Sequence, residues 1–138
     1  MSLLSIFNVS GSALSAQSVR LNVTASNLAN AETVSSSIDK TYRARHPVFA
    51  TTLKDFENNP SSMGVEVKAI IESQAELRMR HEPDHPLAND EGYIFLPNVN
   101  AIEEMANMIS ASRSYQNNVE VLNTSKQLLQ ATLRMGQQ

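Results

Sequence analysis

The sequence has no cysteine and no tryptophan, and only four of its 138 residues are glycine. The absence of cysteine excludes disulfides, thiolate metal ligands and cysteine nucleophiles. Aromatic residues make up 5% of the chain, which is too little for a large, tightly filled globular centre. No apolar run approaches the ~20 residues that a membrane-spanning helix needs. Neither a nucleophile elbow nor a glycine-rich phosphate loop is present, so no enzyme motif can be recognised.

Clustered positive charge is also scarce. The formal net charge is −3 and the isoelectric point about 5.6, and the only loose basic group is Lys40, Arg43 and Arg45. Nucleic acid is therefore not expected as a partner, because binding to phosphates normally needs a basic surface. The N-terminal stretch has no Lys or Arg before its apolar residues, which is not typical of a cleavable signal peptide. If the chain leaves the cytoplasm, we expect this segment to be retained.

The residues that are present divide into three regions, 1–33, 34–97 and 98–138. In the first region Phe7, Leu14, Leu21 and Leu28 recur every seven residues. A straight helix drifts about 20° per heptad, so this strict spacing favours a helix that packs with a helical partner. Half of the residues between them are Ser, Thr or Asn, which have low helix propensity. We predict a helix over 3–31 that is ordered mainly by its contacts.

The middle region lacks a helical period and predicts a small β-rich unit. Residues 65–72 alternate apolar and polar side chains, which predicts a half-buried strand, and residues 92–97 predict a short strand that ends at Pro97. Residues 42–56 are expected to be partly extended, because Pro47 excludes regular helix there. Residues 33–39 and 58–64 predict loops. A unit of about 60 residues is not expected to be very stable by itself.

The third region predicts a helix over 99–136. Asn98 or Asn100 can cap its start, and Gly136 is a suitable stop. Glu103 and Glu104 suit the positive end of the helix dipole, and adjacent residues on a helix do not face each other as a catalytic pair would. Met108, Tyr115, Leu122 and Leu129 fall seven residues apart, beside a ridge formed by Met105, Val119 and Leu133 and widened by Ile102 and Ile109.

The two helices are too long for a compact domain. At 1.5 Å per residue they would measure roughly 43 and 55 Å, whereas a compact chain of this size has a radius of gyration of about 14 Å. Their apolar ridges therefore need cover that one chain only partly provides. We predict a subunit interface formed by Phe7, Leu14, Leu21, Leu28, Ile102, Met105, Met108, Ile109, Tyr115, Val119, Leu122, Leu129 and Leu133.

Polar residues on the same helices are expected to set the register of that interface. They are Asn22, Asn27, Asn30, Arg113, Gln116 and Asn123. Amides and small side chains allow close helix packing and specify its alignment. A small-molecule site is the alternative for Arg113, Gln116 and Asn123, and an ordinary solvated side chain is an equal alternative for Arg113.

One cluster contains residue types that bind metals: His81, Asp84, His85, Asp90 and Glu91. Zinc needs three or four convergent ligands at about 2.0–2.2 Å, usually on a rigid frame. These residues surround two prolines in a predicted turn, so a polar loop is the favoured interpretation. No metal or other cofactor is predicted.

Both ends of the chain resemble known proteins. Residues 12–33, SALSAQSVRLNVTASNLANAET, resemble the N-terminal signature of bacterial flagellar rod and hook proteins. Residues 98–105, NVNAIEEM, and 108–127, MISASRSYQNNVEVLNTSKQ, resemble the matching C-terminal signature, and residues 86–100, PLANDEGYIFLPNVN, are similar to the proximal rod proteins of that group. Many axial proteins carry Pro-Gly-Tyr after the first signature, whereas here residues 34–40 intervene. The chain is identified as a member of the bacterial flagellar basal-body rod protein family.

The resemblance implies a structural subunit without enzymatic activity, cofactor or small-molecule substrate. It implies a mainly α fold with a small β-rich middle, in which the long N- and C-terminal helices pair as a coiled coil. Such proteins polymerise with themselves and other rod proteins into a periplasmic axial tube that transmits torque for motility. They meet the flagellar export apparatus and the MS-ring region, and are exported without signal-peptide cleavage. Their termini are largely disordered before assembly.

Two alternatives remain open from the residues alone. A self-contained coiled-coil adaptor or secreted effector would form stable helical dimers or trimers in dilute solution. A metal-dependent hydrolase would retain metal through His81 and His85.

Overall fold

Two long helices dominate the structure, a computed structural model that describes residues 3–52 and 63–136. Helix α1 spans Leu3–Ala29 and α2 spans Ala101–Met135. At 1.5 Å per residue their lengths are about 40 and 52 Å. Both helices are confirmed, with ends within two residues of the prediction. Neither is apolar enough over its length to cross a membrane.

The start of α2 is capped by Asn100, one of the two predicted candidates. Its Oδ1 accepts from the backbone N–H of Ile102 at 3.1 Å, and Glu103 and Glu104 lie in the first turn. The helix ends at Met135, and Gly136 follows it as the C-cap in a right-handed backbone conformation with φ −80°. The Asn100 side chain satisfies an exposed N–H group of the helix start, and the acidic residues interact favourably with the helix dipole.

The helices pack along each other in antiparallel directions. Ala31, just after α1, lies in one buried cluster with Val99, and Ala101 packs against it. Further along, Arg20 Nη2 donates to Asn107 Oδ1 at 3.1 Å. The start of α2 therefore lies beside the end of α1. Because α2 has 35 residues and α1 has 27, the eight additional residues of α2 lie at its C-terminal end. That end extends about 12 Å beyond the start of α1.

Between the helices the chain forms two antiparallel two-stranded sheets. Strand β1, Arg45–Thr52, pairs with β2, Gly64–Glu72, with an irregularity between Val48 and Phe49. Strand β3, Arg78–His81, pairs with β4, Tyr93–Leu96, and an isolated bridge joins Ser35 to Phe95. Pro47 lies in β1, whose only partner strand is β2 among the described residues, as expected for a residue without an N–H. We call the β1–β2 pair the ribbon.

The predicted strands are confirmed, but β2 is half-buried only at its start, because Ala69 and Ile71 are exposed. Strand β3 was not predicted. Its sequence, Arg-Met-Arg-His, alternates no apolar side chains, and all four residues are exposed. The predicted loop at 33–39 contains the start of a short 3-10 turn, Ile38–Lys40. Residues 58–62 of the second predicted loop and 53–56 of the predicted extended segment lie outside the described residues.

The buried core is small and lies where the helix ends meet the sheets. Ile94, Phe95 and Leu96 are buried in β4. A second cluster joins Ala31, Ala44 and Val99, with Tyr42 and Ala101 against it. The Arg78 guanidinium donates to the carbonyls of Ala31 at 3.2 Å and Pro97 at 3.1 Å, which ties the end of α1 to the approach of α2. A mainly α fold with a small β-rich middle is thus confirmed, whereas coiled-coil packing stays a prediction.

Replacing the helix cap tests the assignment of Asn100. We expect Asn100→Ala to lower the free energy of unfolding by about 1 kcal/mol, because one N–H at the helix start loses its acceptor. Urea denaturation followed by circular dichroism measures this. Asn117→Ala, an exposed position within the same helix, is the control and is expected to leave stability unchanged or slightly higher. An equal loss in both variants would contradict the cap assignment.

Candidate assembly interface

The residues predicted to form an interface divide into two groups in the structure. Met108, Val119, Leu122 and Leu129 are half-buried on the face of α2 that also contains the buried Ala111 and Ser125. On α1 the four heptad residues, Phe7, Leu14, Leu21 and Leu28, are half-buried as well. The single chain therefore already provides partial cover for these residues.

Small side chains occupy most of the buried positions of the two helices, beside Val23, Asn27 and Glu104. Ala111 in α2 is 0% exposed. The other buried small residues are Ser5, Ser10, Ala16, Thr24 and Ser125. The distance between packed helices depends on the side chains at the contact, so small residues let α1 and α2 approach closely. A close approach also limits how much apolar surface the two helices bury together.

Three residues of the second group face away from the buried side of α2. Ile102 is 76% exposed and Ile109 is 56% exposed, and Met105 between them is exposed too. With 100° of rotation per residue, these three share one side of α2, opposite the buried Glu104 and Ala111. We call them the α2 apolar patch. Tyr115 and Leu133 are also exposed, at other angles around the helix.

A further apolar series escaped the sequence analysis. Val121, Leu128 and Met135 are seven residues apart and all exposed. This is the same seven-residue spacing that identified Met108, Tyr115, Leu122 and Leu129 in the sequence, so the signal was present there. Periodicity alone does not show which of two heptad series turns toward α1 and which toward solvent.

The polar residues predicted to set register also differ in position. Asn22, Arg113, Gln116 and Asn123 are exposed. Asn30 is half-buried, and its Nδ2 donates to the carbonyl of Ser26 at 2.8 Å. Asn27 is 0% exposed and bonds within its own chain. In this conformation the alignment that Asn27 specifies is intramolecular, because the residue has no surface for another subunit to contact.

The cluster of metal-binding residue types is used for turn structure. His85 Nδ1 accepts from the N–H of Leu87 at 3.1 Å, and Asn89 Oδ1 accepts from the N–H groups of Glu91 and Tyr93. The ring of His81 contacts Tyr93 edge-on, with centroids 4.9 Å apart. Within residues 3–52 and 63–136, no three His, Asp or Glu side chains are placed to share a metal ion.

The terminal helices coincide with the regions that two protein-family models match. Residues 7–34 match the model described as flagella basal body rod protein, and residues 90–135 match the C-terminal model of flagellar basal body rod FlgEFG proteins. The first range covers most of α1, and the second covers β4 and all of α2. The ribbon lies outside both ranges.

Curated relatives match the chain from end to end. The flagellar basal-body rod protein FlgC of Salmonella typhimurium is 50% identical over 99% of this chain and 100% of its own length. That of Yersinia enterocolitica is 51% identical with the same coverage. That of Borreliella burgdorferi is 34% identical over 99% of both chains.

The chain belongs to the FlgC family of flagellar basal-body rod proteins. It is a structural subunit of the rod and not an enzyme, and it assembles with other rod components. This relationship decides against the free-standing adaptor and the hydrolase. The family resemblance found at the two termini is confirmed. The residues that contact other subunits stay a prediction.

The buried contact between the helices can be tested at Ala111. We expect Ala111→Leu to lower the free energy of unfolding by about 1–3 kcal/mol, because a close-packed site cannot accept three more carbon atoms without moving α1. Chemical denaturation of the purified chain measures the change. Ala106→Leu makes the same substitution at an exposed position of α2 and is expected to change stability by less than about 0.5 kcal/mol. Tolerance of leucine at position 111 would contradict the tight contact.

Proposed function

We propose that this subunit polymerises through its helix pair into the axial tube of the proximal rod, which transmits motor torque and is needed for motility. The observation that carries this proposal is the apolar surface left uncovered on α2. On the face away from α1, the exposed fraction is 76% for Ile102, 46% for Met105 and 56% for Ile109. Exposed apolar residues grouped on one helix face are a feature of protein–protein contacts.

The proposed contact surface is the outer side of the helix pair. The α2 apolar patch lies near the start of α2, and Val121, Leu128 and Met135 extend exposed apolar surface toward its end. The heptad spacing of both series suits a neighbouring helix, so we propose that helices of adjacent subunits pack here as in a coiled coil. The exposed Asn22, Arg113, Gln116 and Asn123 would then set the register between subunits.

We further propose that the subunit reaches the rod, in the periplasm, by the flagellar export apparatus and without cleavage, and meets the MS-ring region. Family membership supports this route, as does the N-terminal segment, which has no basic residue before its apolar stretch. Residues near the N-terminus belong to α1, whose buried Ser5 and Ser10 take part in the fold. Removal of this segment would therefore remove part of the helix pair.

An exposed apolar residue of the patch gives the sharpest test of assembly. We expect Ile109→Asp to leave the isolated chain folded, because the side chain is exposed, but to prevent its incorporation, because a charge would be buried between subunits. Swimming in soft agar and immunoblots of purified basal bodies measure the outcome.

The control lies on the same side of the helix. Gln127 follows Ile109 by 18 residues, which is five turns, and is also exposed. Gln127→Asp introduces the same charge at a polar position and is expected to be incorporated normally. If Ile109→Asp chains built functional rods, the patch would not be a subunit contact.

Mass spectrometry of the rod subunit tests the export route. We expect the protein recovered from purified basal bodies to have the mass of the whole chain and to give peptides from the first turns of α1. A mature form that lacks these residues would contradict export without cleavage. The cytoplasmic protein from the same cells is the reference for the uncleaved mass.

A further inference from the structure

A cavity lies between α1, β1 and the first turns of α2. It has a volume of about 350 Å³, and residues of all three elements line it, among them Thr24, His46, Phe49 and Glu104. Thr24 and Glu104 are each 4% exposed, whereas Phe49 is 38% exposed and His46 is exposed as well. The cavity thus has polar side chains at its inner end and two rings at its open end.

The carboxylate of Glu104 has no partner in its own chain. Within the part of the chain that the structure describes, neither a hydrogen bond nor an ion pair reaches this side chain. Two arginines line the same cavity, but Arg20 donates to Asn107 at 3.1 Å and Arg45 pairs with Glu72 at 3.1 Å. Native structures pair almost all of their buried polar groups, and a buried charge above all. A partner for Glu104 must therefore come from outside the chain.

An exposed cation lies on the opposite side of α2. Nine residues, which are about two and a half helical turns, separate Arg113 from Glu104. Arg113 follows Ile109 by four residues, so it extends the α2 apolar patch along the helix. It is exposed and makes no hydrogen bond or ion pair within residues 3–52 and 63–136. An arginine beside apolar residues is a common energetic centre of protein interfaces.

The surroundings of the two charges are complementary. Phe49 at the open end of the cavity is exposed, and so is Ile71, whose strand partner is His46. Apolar surface therefore flanks the negative charge of Glu104, just as the α2 apolar patch flanks the positive charge of Arg113. A guanidinium also suits this cavity because it can stack on an aromatic ring and bond both oxygens of a carboxylate.

We propose that Arg113 of one subunit enters the cavity of a second copy of the chain and pairs with Glu104 there. The two residues lie on opposite sides of α2, so the contact joins two different surfaces and is repeated from copy to copy, as a helical assembly requires. This inference rests on the proposed polymerisation and adds the charge pair that aligns neighbouring copies.

A double-mutant cycle in cells tests the pairing. We expect Arg113→Gln and Glu104→Gln each to lower the amount of subunit in purified basal bodies at least tenfold, because each leaves one charge unpaired at a buried contact. Combined in one chain, the two substitutions should lower it no further than the stronger single substitution. Quantitative immunoblots of basal bodies, normalised to the subunit in whole cells, measure these amounts.

Three comparisons separate pairing from loss of charge or of folding. Glu103→Gln and Lys126→Gln neutralise exposed charges of the same helix and should be incorporated normally. Arg113→Lys keeps the positive charge and should lower incorporation less than Arg113→Gln does. If Glu104→Gln acted only by disturbing the fold, its loss would multiply with that of Arg113→Gln, and a combined loss near a hundredfold would overturn the proposal.

The patch variant Ile109→Asp distinguishes failure of this pairing from failure of the proposed assembly surface. If both glutamine variants were incorporated normally while Ile109→Asp was not, the cavity would hold only water and the pairing would be wrong, but the α2 apolar patch would stay a subunit contact. Normal incorporation of all three variants would contradict both proposals.

Discussion

The side-chain amide of Asn27 bonds both backbone polar groups of Arg45, and this buried contact fixes the ribbon against the helix pair. Asn27 is among the largest fully buried side chains, beside Ile94 and Pro97. An apolar residue of similar size would leave an N–H and a carbonyl of β1 unpaired inside the protein. The fold thus depends at its centre on one polar residue rather than on a large apolar core.

A second amide extends this arrangement to α2. Asn98 Oδ1 accepts from the N–H of Ala44 at 2.8 Å, and its Nδ2 donates to the carbonyl of Ala75 at 2.9 Å. Residues 44 and 45 are therefore bonded from two sides, by Asn98 just before α2 and by Asn27 within α1. These polar contacts, with the guanidinium of Arg78, join the four chain segments that meet at the small core.

The helix pair has one closed side and one open side, which suits a rod subunit. Small buried residues such as Ala111 and Ser125 bring α1 and α2 together, whereas larger residues such as Ile102 and Ile109 stay exposed. The stability gained from burial is proportional to the apolar area removed from water, and small side chains contribute little area. Much of the apolar surface of α2 is therefore left for contact with neighbouring subunits. The family models match the two helices and not the ribbon, in keeping with helices that share a common assembly role.

The sequence by itself determined the two helices, the strands at 64–72 and 93–96 and the family, because regular periods and long signatures are local properties. It did not predict β3, whose residues have no apolar alternation, or the roles of Tyr42, Arg78 and Asn98. Asn27 was assigned to contacts between subunits, yet its partner is Arg45, 18 residues away. Only the tertiary structure decided which apolar series faces α1 and which amides are buried, because burial depends on segments that are distant in sequence and meet only when the chain folds.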